Sequence, residues 1–424
     1  MRNRINKIIG GILGVAVAAA MVFVAVDPGS VPEKQGTTAP VEETVPVTAP
    51  LPGDVPVASA PPGSVLLSFV GDCTLASDLG EVKEPNLLWM AQNKPHEYFF
   101  EGVYDVLSKD DLTFANCENV FTDRYLSKRP KSGTAFWFTS PASNADILKL
   151  GSVEVAGVAN NHTYDYREDG LLDTVSALEA QGIVAGQDCV PVYVQAKDMT
   201  IGVVFCTMWS SGQRTAIENA LTNMQDNCDY SIVYFHGGSE GRHYPDNYVI
   251  DVCRGLANSG LCDLIVGSHS HVLQPMEVVN NVPIAYSLGN FCFGGNAHPE
   301  NMTAIMQVVL TETDGGITTE TSFVPCYVHT GSRNNYQPAL MTDSADKAEV
   351  MALLTAKVEK RAEEPKASSS TAPTEPTAAT QPSTQVPVVT DPVATDPPQP
   401  ETTLSDLPVQ DQVTEENDDG YNYW

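Results

Sequence analysis

Through the middle of the chain, short apolar runs stop repeatedly at a polar side chain able to hold a metal ion or a proton. Residues 65–71 end at Asp72, 112–115 at Asn116 and Glu118, and 153–159 at Asn160, Asn161 and His162. Residues 230–235 end at His236, and 264–267 lead into His269 and His271. Each run has the length and near-continuous hydrophobicity of a buried strand. Residues 201–207, 283–288 and 303–311 read as further strands. Helical spacing shows over 101–109 and again after His162, where Leu171, Leu172, Val175 and Leu178 repeat, acids cluster at the start and Gly182 follows the end. A third helix starts at Asp246, carries Val249, Ile250, Cys253, Leu256 and Ala257, and stops at Gly260. Residues 344–361 read as a terminal amphipathic helix, while 79–94 show no pattern. Strand and helix in alternation predict an α/β layered domain. In open α/β sheets the functional groups gather beyond the carboxyl ends of the strands.

The two ends of the chain follow other rules. Arg2, Arg4 and Lys7 precede an unbroken apolar run over 8–26, closed by Asp27 and Pro28. That is long enough to span a bilayer, and the basic flank keeps residues 1–7 in the cytoplasm. A single-pass anchor in the cell membrane with an extracytoplasmic domain is the expectation. A cleaved leader, using the small residues Ala18 to Ala20, would instead release a secreted protein. Residues 27–63 are rich in Pro, Val, Thr and Glu, and 362–424 in Pro, Thr, Ser, Gln and acids, so both are expected to be disordered. The folded unit is expected over 64–330, with 331–361 a C-terminal extension carrying the helix.

Charge narrows the partners. A formal net charge of −30 disfavours nucleic acid and docking on anionic lipid. Against that background the loop with Arg124, Lys128, Arg129 and Lys131, followed by Phe136, Trp137 and Phe138, is the one concentrated basic patch. It reads either as an ordinary solvated loop or as a lip for a polyanion. Most of the nine cysteines sit in or beside apolar runs, where cysteine packs as a small hydrophobe; Cys253 and Cys262 bracket a helix-to-strand connection, but no pairing follows from the sequence.

An Asp, a Glu, an Asn and several His at one rim make the donor set of a hydrolytic metal site. In an extended segment alternate side chains share a face, so His269 and His271 can reach one ion; taken alone, the pair reads equally well as two surface histidines. Six motifs make the pattern specific. Phe69-Val-Gly-Asp72, Phe114-Ala-Asn-Cys-Glu118, Ala159-Asn-Asn-His-Thr-Tyr-Asp165, His236-Gly-Gly-Ser-Glu240, Gly267-Ser-His-Ser-His271 and Tyr286-Ser-Leu-Gly-Asn-Phe291 resemble, in that order, the capsule-synthesis CapA family of the poly-γ-glutamate PgsA type, a branch of the calcineurin-like metallophosphatases.

The resemblance covers about residues 65–330. It implies a calcineurin-like sandwich of two β-sheets flanked by helices, and two divalent ions, Mn, Zn or Fe, held by Asp72, Glu118, Asn161, His236, His269 and His271. By the same resemblance Glu118 bridges the ions, Asn161 and His236 serve the second, and His162 is a general acid or transition-state donor. Glu240 would orient a ligand or polarise water, with a solvent-facing loop acid as the alternative. Asn116 and Asn290, with Arg124, Lys128, Arg129 and Lys131, are candidates to face substrate. The implied role is a metal-dependent hydrolase in the synthesis, export or processing of an anionic surface polymer such as poly-γ-glutamate, working with other membrane-bound subunits. An envelope phosphoesterase and a non-catalytic export or tethering subunit are the alternatives. This chain departs from the family pattern in three places. Cys73 and Thr74 follow Asp72 where the family has Asp-x-His, Asn116-x-Glu118 replaces the bridging Asp motif, and Ser268 and Ser270 stand in the last histidine motif. One of the two metal sites is therefore expected to be the weaker.

Overall fold

The computed structural model of the chain describes residues 61–133 and 135–361. The expected anchor, nearly all of the linker and the C-terminal tail lie outside the described residues. Among those described, no helix is long and apolar enough to cross a membrane.

Two sheets face each other. The first runs Ala339–Leu340, Gly316–Tyr327, Thr303–Thr313, Val65–Thr74, Leu112–Cys117, Val155–Gly157, Val184–Gly186, with Asn290–Phe293 added beside the end of Val65–Thr74. The second runs Leu273–Val279, Val282–Leu288, Leu264–Ser268, Tyr230–Gly237, Met199–Met208, Pro191–Ala196. A small third sheet joins Ser77–Asp78, Phe138–Ser140 and Val120–Phe121. One core lies between the large sheets, where Phe69 stacks on Phe114 at 4.8 Å and Phe205 on Tyr234 at 5.6 Å. A second core lies under the helix Arg167–Ala180, and a third under Arg214–Met224 and Asn247–Ser259. The expected sandwich of two sheets flanked by helices is thus present.

Strand parity decides which side each polar strand end faces. In Tyr230–Gly237, Tyr230, Ile232 and Tyr234 fill the inter-sheet core while Val233 and Phe235 fill the outer one, so His236 falls on the inter-sheet side. In Leu112–Cys117, Leu112 and Phe114 point inward and Ala115 and Cys117 outward, which gives Asn116 to the inside. Strict alternation from Leu67 and Phe69 would turn Asp72 the wrong way. One extra residue between Phe69, opposite Phe114, and Asp72, opposite Asn116, bulges the strand and turns the carboxylate inward. Gly71 lies in the bulge because the Gly289 carbonyl, which accepts the Asp72 N–H at 2.9 Å, would collide with a Cβ there.

Several elements differ from expectation. The helix at 101–109 is only Tyr104–Leu107, and the patternless 79–94 contains the helix Leu87–Asn93, capped by the Asn86 Oδ1 on the Trp89 N–H at 3.0 Å. In Arg167–Ala180 the buried face is Leu171, Thr174, Ala177 and Leu178; Leu172 is 54% exposed. Alternating exposure over the first half of Gly316–Tyr327 hid a strand that pairs along Thr303–Thr313. The last helix, Ser344–Leu354, stops short of Arg361. Beyond it the chain becomes a strap: Arg254 donates to the Val358 carbonyl at 2.9 Å, and Asn247 brackets the backbone of Arg361 with two 2.9 Å bonds. Cys73, Cys117, Cys189, Cys206, Cys253, Cys292 and Cys326 are free thiols.

Val350 and Leu354 lie in the inter-sheet core and Val358 in the outer one, so residues 331–361 complete the packing. Leu354→Ala should lower stability by about 2–5 kcal/mol, the usual cost of emptying a buried leucine site, read by urea denaturation of the 61–361 fragment. A fragment ending at residue 330 should lose the cooperative melt that 61–361 retains; an unchanged melt would show the strap and helix to be dispensable.

Candidate metal centre

At the carboxyl ends of both sheets two donor groups share one residue. Asp72, Glu118 and His236 offer ligand atoms within 4.8 Å of one another, and Glu118, His269 and His271 do the same. Asp72 lies near the end of Val65–Thr74 and Glu118 just past the adjacent strand Leu112–Cys117 of the first sheet, while His236 lies in, and His269 and His271 just past, adjacent strands of the second. A carboxylate common to two such groups is the arrangement for bridging two ions.

The hydrogen bonds divide the site into satisfied and unsatisfied atoms. Asp72 Oδ1 accepts from Asn116 Nδ2 at 2.8 Å, and Oδ2 from the backbone N–H of His269 at 3.1 Å. His236 Nδ1 lies 3.1 Å from Asn116 Nδ2 and from Ser268 Oγ; its Nε2 is 2.8 Å from Asn161 Oδ1 and 3.7 Å from Glu118 Oε1. His271 Nδ1 meets Asn290 Oδ1 at 2.9 Å. Both oxygens of Glu118 and Nδ1 of His269, by contrast, are buried without a hydrogen-bond partner. Buried polar atoms are ordinarily paired, and a carboxylate with an imidazole nitrogen is a fitting donor pair for Mn, Zn or Fe. The residues fit the ions.

Burial acts on Asp72, Glu118 and the four histidines of the site. It raises Glu118 well above the ordinary carboxylate range, with the negative charges of Asp72, Glu240 and Asp165 adding to the effect against His271. It also works to raise Asp72, but hydrogen bonds and charge from His236 and His271 outweigh it and leave that carboxylate well below the usual range. His236 and His162 are lowered by burial, and His269 strongly so, by burial and the neighbouring His236 and His271. Burial opposes protonation of His271, yet Glu118 and Asp72 overcome it and carry its pKa up to about 10.

The six expected ligands come together, Asn161 joining through His236. The way His269 and His271 converge differs from the expected extended segment. Their strand, Leu264–Ser268, has already ended, and the two residues have φ of +95° and +60°, left-handed conformations rare outside glycine. Such strain is characteristic of functional sites. Asn116 and Asn290, expected to face substrate, are buried and spend their amides on Asp72, His236 and His271. His162 stands with Nε2 3.9 Å from Glu118 Oε1, and its Nδ1 meets Asp165 Oδ2 at 2.6 Å. Glu240 is exposed at the rim. Of the basic loop, Arg124 is bound to Asp173 at 2.7 and 2.8 Å, Lys128 covers the Trp137 ring at 4.2 Å, and Lys131 pairs with Asp165.

Sequence reasoning passed over Trp209. It follows the strand Met199–Met208 as the ligands follow theirs, and its ring meets His236 at 5.9 Å and His269 at 4.9 Å, edge to face. Phe293 backs His271 at 4.8 Å and Phe138 backs His162 at 4.5 Å, so apolar rings wall the donors. The strand-end position was the available signal.

Residues 66–295, more than half of the chain, match the model of the bacterial capsule synthesis protein family PGA_cap. The chain belongs to that family. It is 26% identical over 271 residues to "PGA biosynthesis protein CapA" of Bacillus subtilis (strain 168), a match covering 59% of this chain and 68% of the relative. To "Capsule biosynthesis protein CapA" of Bacillus anthracis it is 25% identical over 284 residues, 61% and 67% respectively. Solved structures with similarity include a hypothetical protein from Thermus thermophilus, at TM-score 0.39 and 11% identity, covering 62% of this chain and 99% of that one. The calcineurin-like phosphoesterase YfkN from Bacillus subtilis gives 0.38 and 10%, covering 68% and 98%.

With His271 raised from an ordinary 6.5 to about 10, the metal-free protein gains stability that is fully present below about pH 6.5 and is lost as pH rises through about 10. Coordination needs the neutral imidazole, so binding of Mn²⁺ at about pH 7.5 should expel at least about one proton. Calorimetric titration in two buffers of different ionisation enthalpy measures it; identical heats would contradict the assignment.

Proposed function

We propose that this chain is a membrane-anchored, extracytoplasmic metal-dependent hydrolase of the CapA type. It acts on an anionic surface polymer such as poly-γ-glutamate during synthesis, export or processing, together with other membrane-bound subunits. The observation that carries the reading is Glu118, buried between two donor groups with both oxygens free of hydrogen bonds. The names of the two Bacillus relatives support the polymer, and the apolar run at 8–26 supports the anchor. Divalent ions held by Asp72, Glu118, Asn161, His236, His269 and His271 would supply Lewis acidity and an activated water. They would also supply the positive charge that a chain of net −30 lacks for a polyanion.

The chain's own groups do the rest. His162, with Nδ1–H given to Asp165, holds or moves a proton at Nε2 beside the donor cluster. Asn116 and Asn290 fix the orientation of Asp72, His236 and His271, as outer hydrogen bonds do for metal ligands. Trp209, Phe293 and Phe138 exclude water from the donors. Lys128 and Arg129 remain on the loop as cations for a polymer chain.

His162→Ala should cut turnover roughly a hundredfold or more with metal content unchanged, since general acid–base catalysis contributes about 10²–10⁴-fold. Glu118→Ala should lose both metal and activity. Elemental analysis and hydrolysis of p-nitrophenyl phosphate esters and of poly-γ-glutamate with Mn²⁺ are the measurements. A metal-free native protein would sink the site. A protein that cleaves neither substrate, in cells that need the domain but tolerate His162→Ala, would be a tether.

A further inference from the structure

Lys131 belongs by sequence to the basic loop, yet its ammonium is turned inward. It pairs with Asp165 Oδ1 and donates to the Phe136 carbonyl at 2.7 Å, with its side chain 23% exposed. Asp165 is completely buried. Its other oxygen, Oδ2, accepts from His162 Nδ1 at 2.6 Å and from the backbone N–H of Phe138 at 2.8 Å. The loop is sewn to the same place twice more. The Arg129 N–H donates to the Asp165 carbonyl at 2.8 Å, and the Trp137 indole N–H to the Arg129 carbonyl at 2.6 Å.

We propose that Lys131 is a positioning residue for His162, acting through Asp165. This rests on the reading of His162 given above. An aspartate carboxylate turns easily about its last torsion, whose preferences are broad. Here Lys131 on one oxygen and the Phe138 amide on the other stop that rotation. The oxygen left toward the imidazole is therefore always placed to accept, which makes Nδ1 the protonated nitrogen and leaves Nε2 toward Glu118. A buried carboxylate without a cation is costly, and Lys131 is the one cation paired with Asp165 among the described residues. Arg124, the other strongly held cation of the loop, is committed to Asp169 and Asp173 on the neighbouring helix. The basic loop thus has an inward function in Lys131 separate from its outward face.

The test compares Lys131→Met, Lys131→Arg and Lys131→Ala in the full chain, with one readout independent of activity. In the proton NMR spectrum a downfield Nδ1–H signal, absent from His162→Gln, reports the His162–Asp165 bond. It should weaken or vanish in Lys131→Met and persist in Lys131→Arg. Turnover in Lys131→Met should fall roughly tenfold to a hundredfold, the range for groups that orient a site from outside it, with KM and bound metal unchanged and Lys131→Arg largely rescued. Should Lys131→Met fail to fold, Lys131→Ala, which also leaves Asp165 Oδ1 without donor or charge, is judged by the same resonance. An unaltered Nδ1–H signal in the folded Met or Ala variant would overturn the proposal and leave Lys131 a loop fastener. Absence of turnover in the native protein would count against the hydrolase reading, while the resonance would still decide the role of Lys131.

Discussion

Two carboxylates, Asp72 and Glu118, are buried side by side where two apolar sheets meet, and the surrounding structure answers that cost. Desolvating one carboxylate is unfavourable, and placing a second beside it adds repulsion. Asp72 is compensated within the protein, by Asn116, the His269 amide and two imidazoles. Glu118 has the charge of His271 for company but no hydrogen bond to either oxygen. Three histidines from the opposite sheet, two of them on strained backbone, are brought to the same point. A fold selected for stability alone would have no reason to keep so many unfavourable features together.

The parts of the site legible in the sequence were those with a local signature. An apolar run followed at once by Asp, Glu, Asn or His is visible in a few residues, and such runs precede Asp72, Glu118, Asn161 and His236. Which face the ligand takes is not local, because it depends on parity along the strand and, for Asp72, on one bulged residue. The left-handed turns at His269 and His271 were equally hidden, since neither residue type announces them. Trp209 escaped because indole is not a ligand, although its place at a strand end matches the others. For the fold, buried strands were easy to read, whereas Gly316–Tyr327 alternates in exposure and the Ser344–Leu354 helix ends without a glycine or proline to mark it.

The electrostatics of the loop from Thr122 to Phe138 show why a count of basic residues misleads. Four cations stand close in sequence, but one is neutralised on a helix, one faces a buried aspartate and one lies over an indole ring. The positive potential the loop presents to solvent is accordingly smaller than the composition suggests.

The bulge between Phe69 and Asp72 means that the face on which this acid stands does not follow from its distance along the strand. Phe69 and Asp72 are three residues apart yet share the inter-sheet side, while Cys73 falls to the outer core. Deleting Gly71 would take out the extra residue and leave Asp72 two positions after Phe69, on the same side by plain alternation. A relative one residue shorter at this point would therefore keep the acid facing the same way without a bulge. A relative of equal length that paired here without the bulge would turn it toward the outer core.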